Sequence, residues 1–359
     1  MSLPSLYIAI TNHGFGHATR AAAVAATVRS LCPELPIILT TTAPHWLLQA
    51  YIPGSFEQRQ QAYDVGVVQS DSMTMDFAAT LSQLQQIQAR QAEIIQVEVE
   101  FIKAKRVGLV LADIPPLAAP IAQAAGIPCW MMSNFGWDFI YRPWGGEFVA
   151  VADWIADCFS QCDRLFRLPF HEVMPAFPQK TEVGLTGGTP QYGEAELRDR
   201  FDIKPPRART VLLSFGGLGL QKIPYTTLQQ FPAWTFISFD RAAPDLPNLR
   251  KILERQYRPV DFMPLCDRVV SKPGFSTFSE ACRLGLPVAT LTRQGFAESA
   301  LLVEGIQDFA FHQIIAAADF FSGNWAFLQQ PPQPPRQPES VDVNGNGAIA
   351  QAVVNYLAG

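Results

Sequence analysis

The stretch "DRVVSKPGFSTFSEACRLGLPVA", residues 267–289, reads as a strand, a turn and a helix in quick succession. The apolar run stops at Val269-Val270-Ser271, "KPGFST" turns, and "FSEACRLG" continues as helix. Gly274 lets a backbone approach a ligand closely. Ser276 and Thr277 can cap the helix and donate hydroxyls. The free N–H groups of a helix start, together with its dipole, favour an anion there. Lys272 adds a positive charge at the same mouth. Glu280, one turn into the helix, is placed to accept from hydroxyls such as a ribose pair. A plainer reading stays open: Thr277 followed three residues later by Glu280 is a capping box, which needs no ligand.

The alternation of this stretch recurs along the chain. "SLYIAI" precedes "RAAAVAATVRSL", "LPIILTTT" precedes "PHWLLQAYI", and "RVGLVLAD" precedes "PPLAAPIAQAAG", with "IPCWMMSN" after it. "TVLLSFGG", "WTFISFD" and "LPVATLT" repeat the pattern in the second half. The strand runs are apolar throughout rather than alternating, as expected where helices cover both faces of a sheet. The pattern predicts two tandem doubly wound, Rossmann-like α/β domains facing across a cleft. Ligands of such sheets bind beyond the carboxyl ends of the strands. The expected division is a first domain over 1–165, an interdomain linker over 166–206, a second domain over 207–325, and a Pro-rich connector with a C-terminal helix over 326–359. Residues 77–105 read as one long amphipathic helix, with Phe77, Leu81, Leu84, Ile87, Ile94 and Ile95 along one stripe.

The bulk numbers narrow the classes. A chain of 359 residues is long for a single core. Its 48% hydrophobic and 16% charged residues describe a folded, soluble protein. A net charge of −5 gives no basic footprint for nucleic acid. No leader pattern and no apolar run of about eighteen residues is visible, so the reading is a cytoplasmic protein without a transmembrane segment, with peripheral membrane contact left open. The six cysteines lack zinc-ligand spacing and read as reduced thiols.

"TNHGFGHATR", residues 11–20, places two of the chain's five histidines in one turn after the first strand. Metal ligation would need His13 and His17 on one helical face, and the two glycines between them disfavour a helix. A general base or plain turn chemistry remains. Arg20 has two readings: a partner for a phosphate or acidic acceptor, or a solvated surface residue. In "SNFGWDFIYRPW", residues 133–144, Trp137, Asp138, Tyr141 and Trp144 suit a wall for sugar or ring faces, with buried loop aromatics as the alternative.

"KPGFSTFSEACRLGLPVATLTRQGFAES", residues 272–299, resembles the donor-binding segment of GT-B-fold nucleotide-sugar glycosyltransferases. It is similar to that of UDP-glucuronosyl and plant small-molecule glucosyltransferases, and of the N-acetylglucosaminyltransferase of peptidoglycan synthesis. The resemblance puts Lys272 at the family's histidine, Gly274 at its glycine, Ser276 at its asparagine and Thr277 at its serine, all at the diphosphate. Glu280 falls on the ribose-binding glutamate. Glu298 falls on the acid that contacts the sugar, while Ser299 replaces the family's glutamine. Gly216 and Gly217 resemble the second phosphate-side loop, with an ordinary turn as the alternative, and Phe262 and Met263 sit where the family clamps the base, with a packed core phenylalanine as the alternative.

In the same family the first strand leads into a loop ending Gly-His. Gly16 and His17 match it, which makes His17 the implied general base and Asp113, after "LVLA", its carboxylate partner. His13, Gly16, Arg20, Asn134, Trp137, Asp138 and Tyr141 are expected on the acceptor side. "HGFGHATR", "SNFGWDFIY", "RLPF", "MPAF" and "GFSTFSEA" look like the glycosyltransferase-like N-terminal region of plant arabinokinase-type proteins, in which a sugar kinase follows. The implied function is metal-independent, inverting transfer from a nucleotide-diphosphate sugar, with UDP expected, to a hydroxyl acceptor. The co-substrate is the sugar nucleotide; no cofactor or metal is expected. The alternatives are a sugar-nucleotide-binding module without transfer, and a sugar-nucleotide epimerase.

Overall fold

The computed structural model describes residues 3–70, 74–204, 206–216, 219–220 and 223–359. The first sheet has seven strands: β1 (Ser5–Ile10), β2 (Ile37–Thr40), β3 (Glu57–Arg59), β4 (Val107–Asp113), β5 (Cys129–Ser133), β6 (Arg164–Arg167) and β7 (Lys180–Glu182), in the order β3-β2-β1-β4-β5-β6-β7. The second has six: β8 (Thr210–Ser214), β9 (Thr235–Ser238), β10 (Leu249–Lys251), β11 (Arg268–Ser271), β12 (Val288–Leu291) and β13 (His312–Ile315), in the order β10-β9-β8-β11-β12-β13. All the pairings between these strands are parallel.

The uniform apolarity of the central strands has a packing cause. In β1, Leu6, Ile8 and Ile10 enter one core while Tyr7 and Ala9 enter another on the opposite face. In the second sheet, Leu212 and Val269 join the first of those cores, and Val211, Leu213 and Val270 fill a third. One hydrophobic core therefore runs through both halves, with a separate core on each outer face. Among the described residues no helix is long and apolar enough to cross a membrane. The six cysteines are free.

Three details differ from the sequence reading. The expected linker 166–206 contains the second half of β6 and all of β7, which extend the first sheet. The helix expected over 77–105 is two helices, Phe77–Ala89 and Gln91–Ala104, parted at Arg90 (φ −98°, ψ 4°). No Pro or Gly marks that break, so the apolar stripe runs through it. The C-terminal helix Gly345–Ala358 returns to the first domain, where Ile349, Ala350, Val353 and Leu357 share the core of β1 and helix Gly16–Leu31.

The chain thus crosses between the domains twice, and the two crossings touch. Leu185 N–H donates to the Asp342 carbonyl (2.7 Å), and Gly345 N–H to the Leu185 carbonyl (3.1 Å). A Cβ on Gly345 would collide with the backbone of Gly184.

Candidate functional site

The site starts from strand register. Ile10 pairs with Asp113, so the carboxyl ends of β1 and β4 lie side by side. Gly14 (φ +58°) turns the chain, and helix Gly16–Leu31 carries His17 in its first turn and Arg20 three residues on. Both meet the fully buried Asp113. His17 Nδ1 lies 2.8 Å from Asp113 Oδ1. Arg20 donates through Nε to Oδ2 (2.5 Å) and through Nη2 to Oδ1 (2.6 Å).

Burial alone would raise the pKa of Asp113; the Arg20 guanidinium and then His17 outweigh it and hold the carboxyl below its usual range. Arg20 Nη2 also lies 3.0 Å from His17 Nδ1; in the tautomer with Nδ1 protonated, the ring donates that proton to the ionised Asp113 and Nε2 keeps its lone pair. Arg20 is neither solvated nor free for a ligand. It is 1% exposed and also donates to Asn134 Oδ1 (3.0 Å).

The opposite wall is built at the end of β11. Helix Phe275–Arg283 starts with Gly274 as its N-cap and no side-chain cap. The capping-box reading therefore fails: Thr277 and Glu280 lie inside the helix, and Glu280 turns away to accept from Gly188 N–H (2.8 Å). Lys272 Nζ lies beside the same helix start, 3.3 Å from the Pro273 carbonyl. Burial, then the charge of Arg293, push its pKa down to about 8, against Glu298.

A cavity of about 110 Å³ lies between the walls, lined by His13, His17, Lys272, Gly274, Ser276 and Glu298 among others. A larger one, about 510 Å³, shares Gly16, Gly216, Ser276 and Thr277 with it and extends to Glu280, Tyr257 and Trp46. Glu280 is pushed up to about 7, chiefly by burial.

The other expected site residues divide. Gly16 and Ser276 meet across the cleft, where the serine hydroxyl donates to the glycine carbonyl (2.8 Å). Gly216 (φ +78°) lines both cavities; Gly217 lies outside the described residues. Asn134 Nδ2 donates to Glu298 Oε1 (2.8 Å), so Asn134 joins the Arg20–Asp113 pair to the second domain. His13 stacks on Phe296 of the second domain, with centroids 5.8 Å apart, rather than standing free on the acceptor side.

Two groups are displaced from their expected places. Phe262 and Met263 are fully buried, with Phe262 packed among the rings of Phe201, Phe239 and Tyr257, so neither reaches the cavity as a base clamp. Trp46 and Arg255 flank the larger cavity instead, the guanidinium 5.4 Å from the Trp46 ring. Trp137 and Tyr141 are stacked in the core (5.5 Å), the indole donating to Thr11 Oγ1 (2.8 Å) and the phenol to the Gly66 carbonyl. Asp138 is buried beside them, its pKa raised by burial, and none of the three lines either cavity. Their short helix turns its apolar side inward, so the expected acceptor wall is core. Trp144 ties the domains together by donating to the Gly295 carbonyl (2.9 Å).

The sequence reading missed Asp64, Tyr51 and Arg258. Asp64 accepts from the Thr11 hydroxyl and from Asn12 N–H (2.7 Å), beneath the loop that carries both histidines. Tyr51 reaches from the first domain to Glu280 (3.5 Å), and Arg258 lies over its ring (4.8 Å). Each stands in a stretch without a local motif; only the fold brings it to the cleft.

No protein-family model matches the chain. It is 28% identical over 327 residues to an L-arabinokinase of Arabidopsis thaliana, a match that covers 88% of this chain and 31% of that protein. The chain thus spans about a third of the length of this curated relative. Among solved structures, the glycotransferase of kitacinnamycin superposes with a TM-score of 0.63 at 13% identity, over 99% of each chain. CalG4, the calicheamicin glycosyltransferase, gives 0.62 at 15% identity over 99% of this chain and 98% of its own. UGT71G1 of Medicago truncatula, solved with UDP-glucose, gives 0.58 at 13% identity over 97% and 93%. The chain has the GT-B fold: two parallel-sheet α/β domains across a cleft.

Proposed function

We propose that the chain is a glycosyltransferase that moves a sugar from a nucleotide-diphosphate sugar, UDP-linked, to an acceptor hydroxyl with inversion. One observation carries the reading: His17, paired with Asp113, faces Lys272 and an uncapped helix start across a single cavity. The acceptor oxygen attacks the anomeric carbon as its proton passes to His17 Nε2, and the bond from that carbon to the diphosphate breaks. The imidazolium formed is stabilised by Asp113. The charge growing on the departing diphosphate meets Lys272 and the N–H groups of the helix start, so the reading assigns no metal to the step. The nucleoside extends into the larger cavity toward Glu280 and Tyr257. The likeness to glycosyltransferase structures supports the donor class.

Thermal melting with UDP, GDP, TDP and their sugars tests the donor. UDP at ~100 times its Kd should add roughly 2.7 kcal/mol of stability; no shift with any nucleotide overturns the proposal. Binding without product over a broad acceptor panel would leave a sugar-nucleotide-binding module, and a changed sugar without any acceptor would reveal an epimerase.

Lys272 gives a pH signature. With a pKa of about 8 in the free protein, it loses its charge above that pH, whereas a bound diphosphate favours the charged form. UDP affinity should be level up to about pH 7.5 and then weaken by up to about tenfold per pH unit. Lys272→Met should weaken binding about tenfold or more at pH 7 and flatten the profile. Calorimetric titration between pH 7 and 9 reads both.

A further inference from the structure

His13 and His17 stand in one turn but are wired to opposite effect. The turn at residues 63–67 runs beneath the loop after β1 and fixes three consecutive residues of it. Asp64 holds Thr11 and Asn12, and the backbone N–H of Val67 donates to His13 Nδ1 (3.2 Å). Gly66 (φ +61°) brings this turn against the imidazole; a Cβ there would lie 2.9 Å from His13 Cγ. With Nδ1 accepting, a neutral ring carries its proton on Nε2. Burial, then the charges of His17, Arg293 and Lys272, keep the His13 pKa well below the usual histidine value.

In the general-base reading above, His17 takes the other tautomer, its Nδ1–H on Asp113. The cleft therefore holds one imidazole nitrogen able to accept a proton and another able only to donate a hydrogen bond. The His13 ring stacks on Phe296, two residues before Glu298, and rests its edge on Trp137 (5.2 Å). His13 and Glu298 line the same cavity. Among the described residues no protein group bonds to His13 Nε2.

We propose that His13 Nε2–H donates a hydrogen bond to a hydroxyl of the transferred sugar, and that with Glu298 accepting it sets the cavity's selectivity for a neutral, hydroxylated sugar. This rests on the donor reading above. A sugar hydroxyl both donates and accepts, so a carboxylate and a neutral N–H satisfy it together. A site built this way discriminates against an analogue lacking the hydroxyl, because its own polar groups are then left unpaired.

The test is calorimetric binding of UDP, UDP-glucose, UDP-galactose and UDP-xylose to the wild-type chain and three variants. His13→Phe keeps the ring contacts and loses both nitrogens. His13→Asn keeps an acceptor for Val67 but falls short of the Nε2 position, and guards against loss of fold in the first variant. His13→Gln returns an N–H near Nε2. In the wild type at least one sugar should tighten binding relative to UDP about tenfold. His13→Phe and His13→Asn should lose that gain while changing UDP affinity less than twofold, and His13→Gln should recover part of it. A merely structural role would weaken UDP and UDP-sugar alike, and that result overturns the proposal. So does an unchanged gain in the variants, or a wild type that binds UDP with no gain from any of the three sugars. A wild type that binds no nucleotide overturns the donor reading itself.

Discussion

His17→Ala should lower kcat by about 10²–10⁴ while leaving UDP affinity within about twofold. The separation follows from where the groups sit. The imidazole belongs to the first domain, whereas Lys272, Gly274, Ser276 and Thr277 stand on the opposite wall. Removing the ring leaves Asp113 paired to Arg20 through two hydrogen bonds, so no buried carboxylate is stranded and the fold holds. Steady-state kinetics with an active acceptor and calorimetry with UDP measure the two halves. Activity within a few-fold of wild type would remove His17 from the role of base. Asp113→Asn tests the partner less cleanly, because it also strands Arg20.

Arg20→Met should have the largest effect on stability, about 3–5 kcal/mol. Asp113 is fully buried, and Arg20 is the strongest influence holding it ionised. A hydrophobic side chain of similar reach fills the space but leaves the carboxylate without its counter-charge. The contribution of the pair is fully present above the usual carboxylate range, near pH 4, and is lost only as pH falls through the lower folded-state value. Denaturant melts at pH 7 should therefore show the deficit. The double variant Arg20→Met, Asp113→Asn should recover much of it, since no charge then remains buried. Strictly additive losses would show that the two residues do not act as a pair. The single variant should also be catalytically poor, because a carboxyl that takes up a proton no longer fixes the His17 tautomer.

The central strands were legible because each is buried on both faces. Between their end residues β1, β4, β8 and β11 carry no charged side chain and are almost wholly apolar, and polar residues such as Ser5, Asp113, Ser214, Arg268 and Ser271 stand only at the ends. Strands β3, β7, β10 and β13 lie at or form the sheet edges, with one neighbour each. "EQR", "KTE" and "LRK" carry charge because most of their side chains keep some exposure, and three or four residues leave no periodicity to read. The site divides for a related reason. His17, Asp113, Lys272 and the helix start lie at strand ends or in the loops and helix starts that follow them, where chain order and spatial order agree. The aromatic run Trp137–Tyr141 and the pair Phe262–Met263 carry the right chemistry, but sequence alone does not say which way a short helix turns. Arg20 misled for the opposite reason. An arginine near the start of a helix is usually solvated, and only the register that sets Asp113 beside Ile10 explains its burial.

The paired crossings near Leu185 and Asp342 bear on how the halves can move. Two extended segments hydrogen-bonded to each other tie the crossings into a single connection, so neither can part without breaking its bonds to the other. Cutting the gene near residue 206 would not yield two free-standing halves. The upstream fragment would lack the helix 345–358 that finishes its core, and the downstream fragment would carry that helix with its apolar side uncovered. Each would expose apolar surface that only the other covers, so split halves of this chain should make a complementation pair rather than two independent domains.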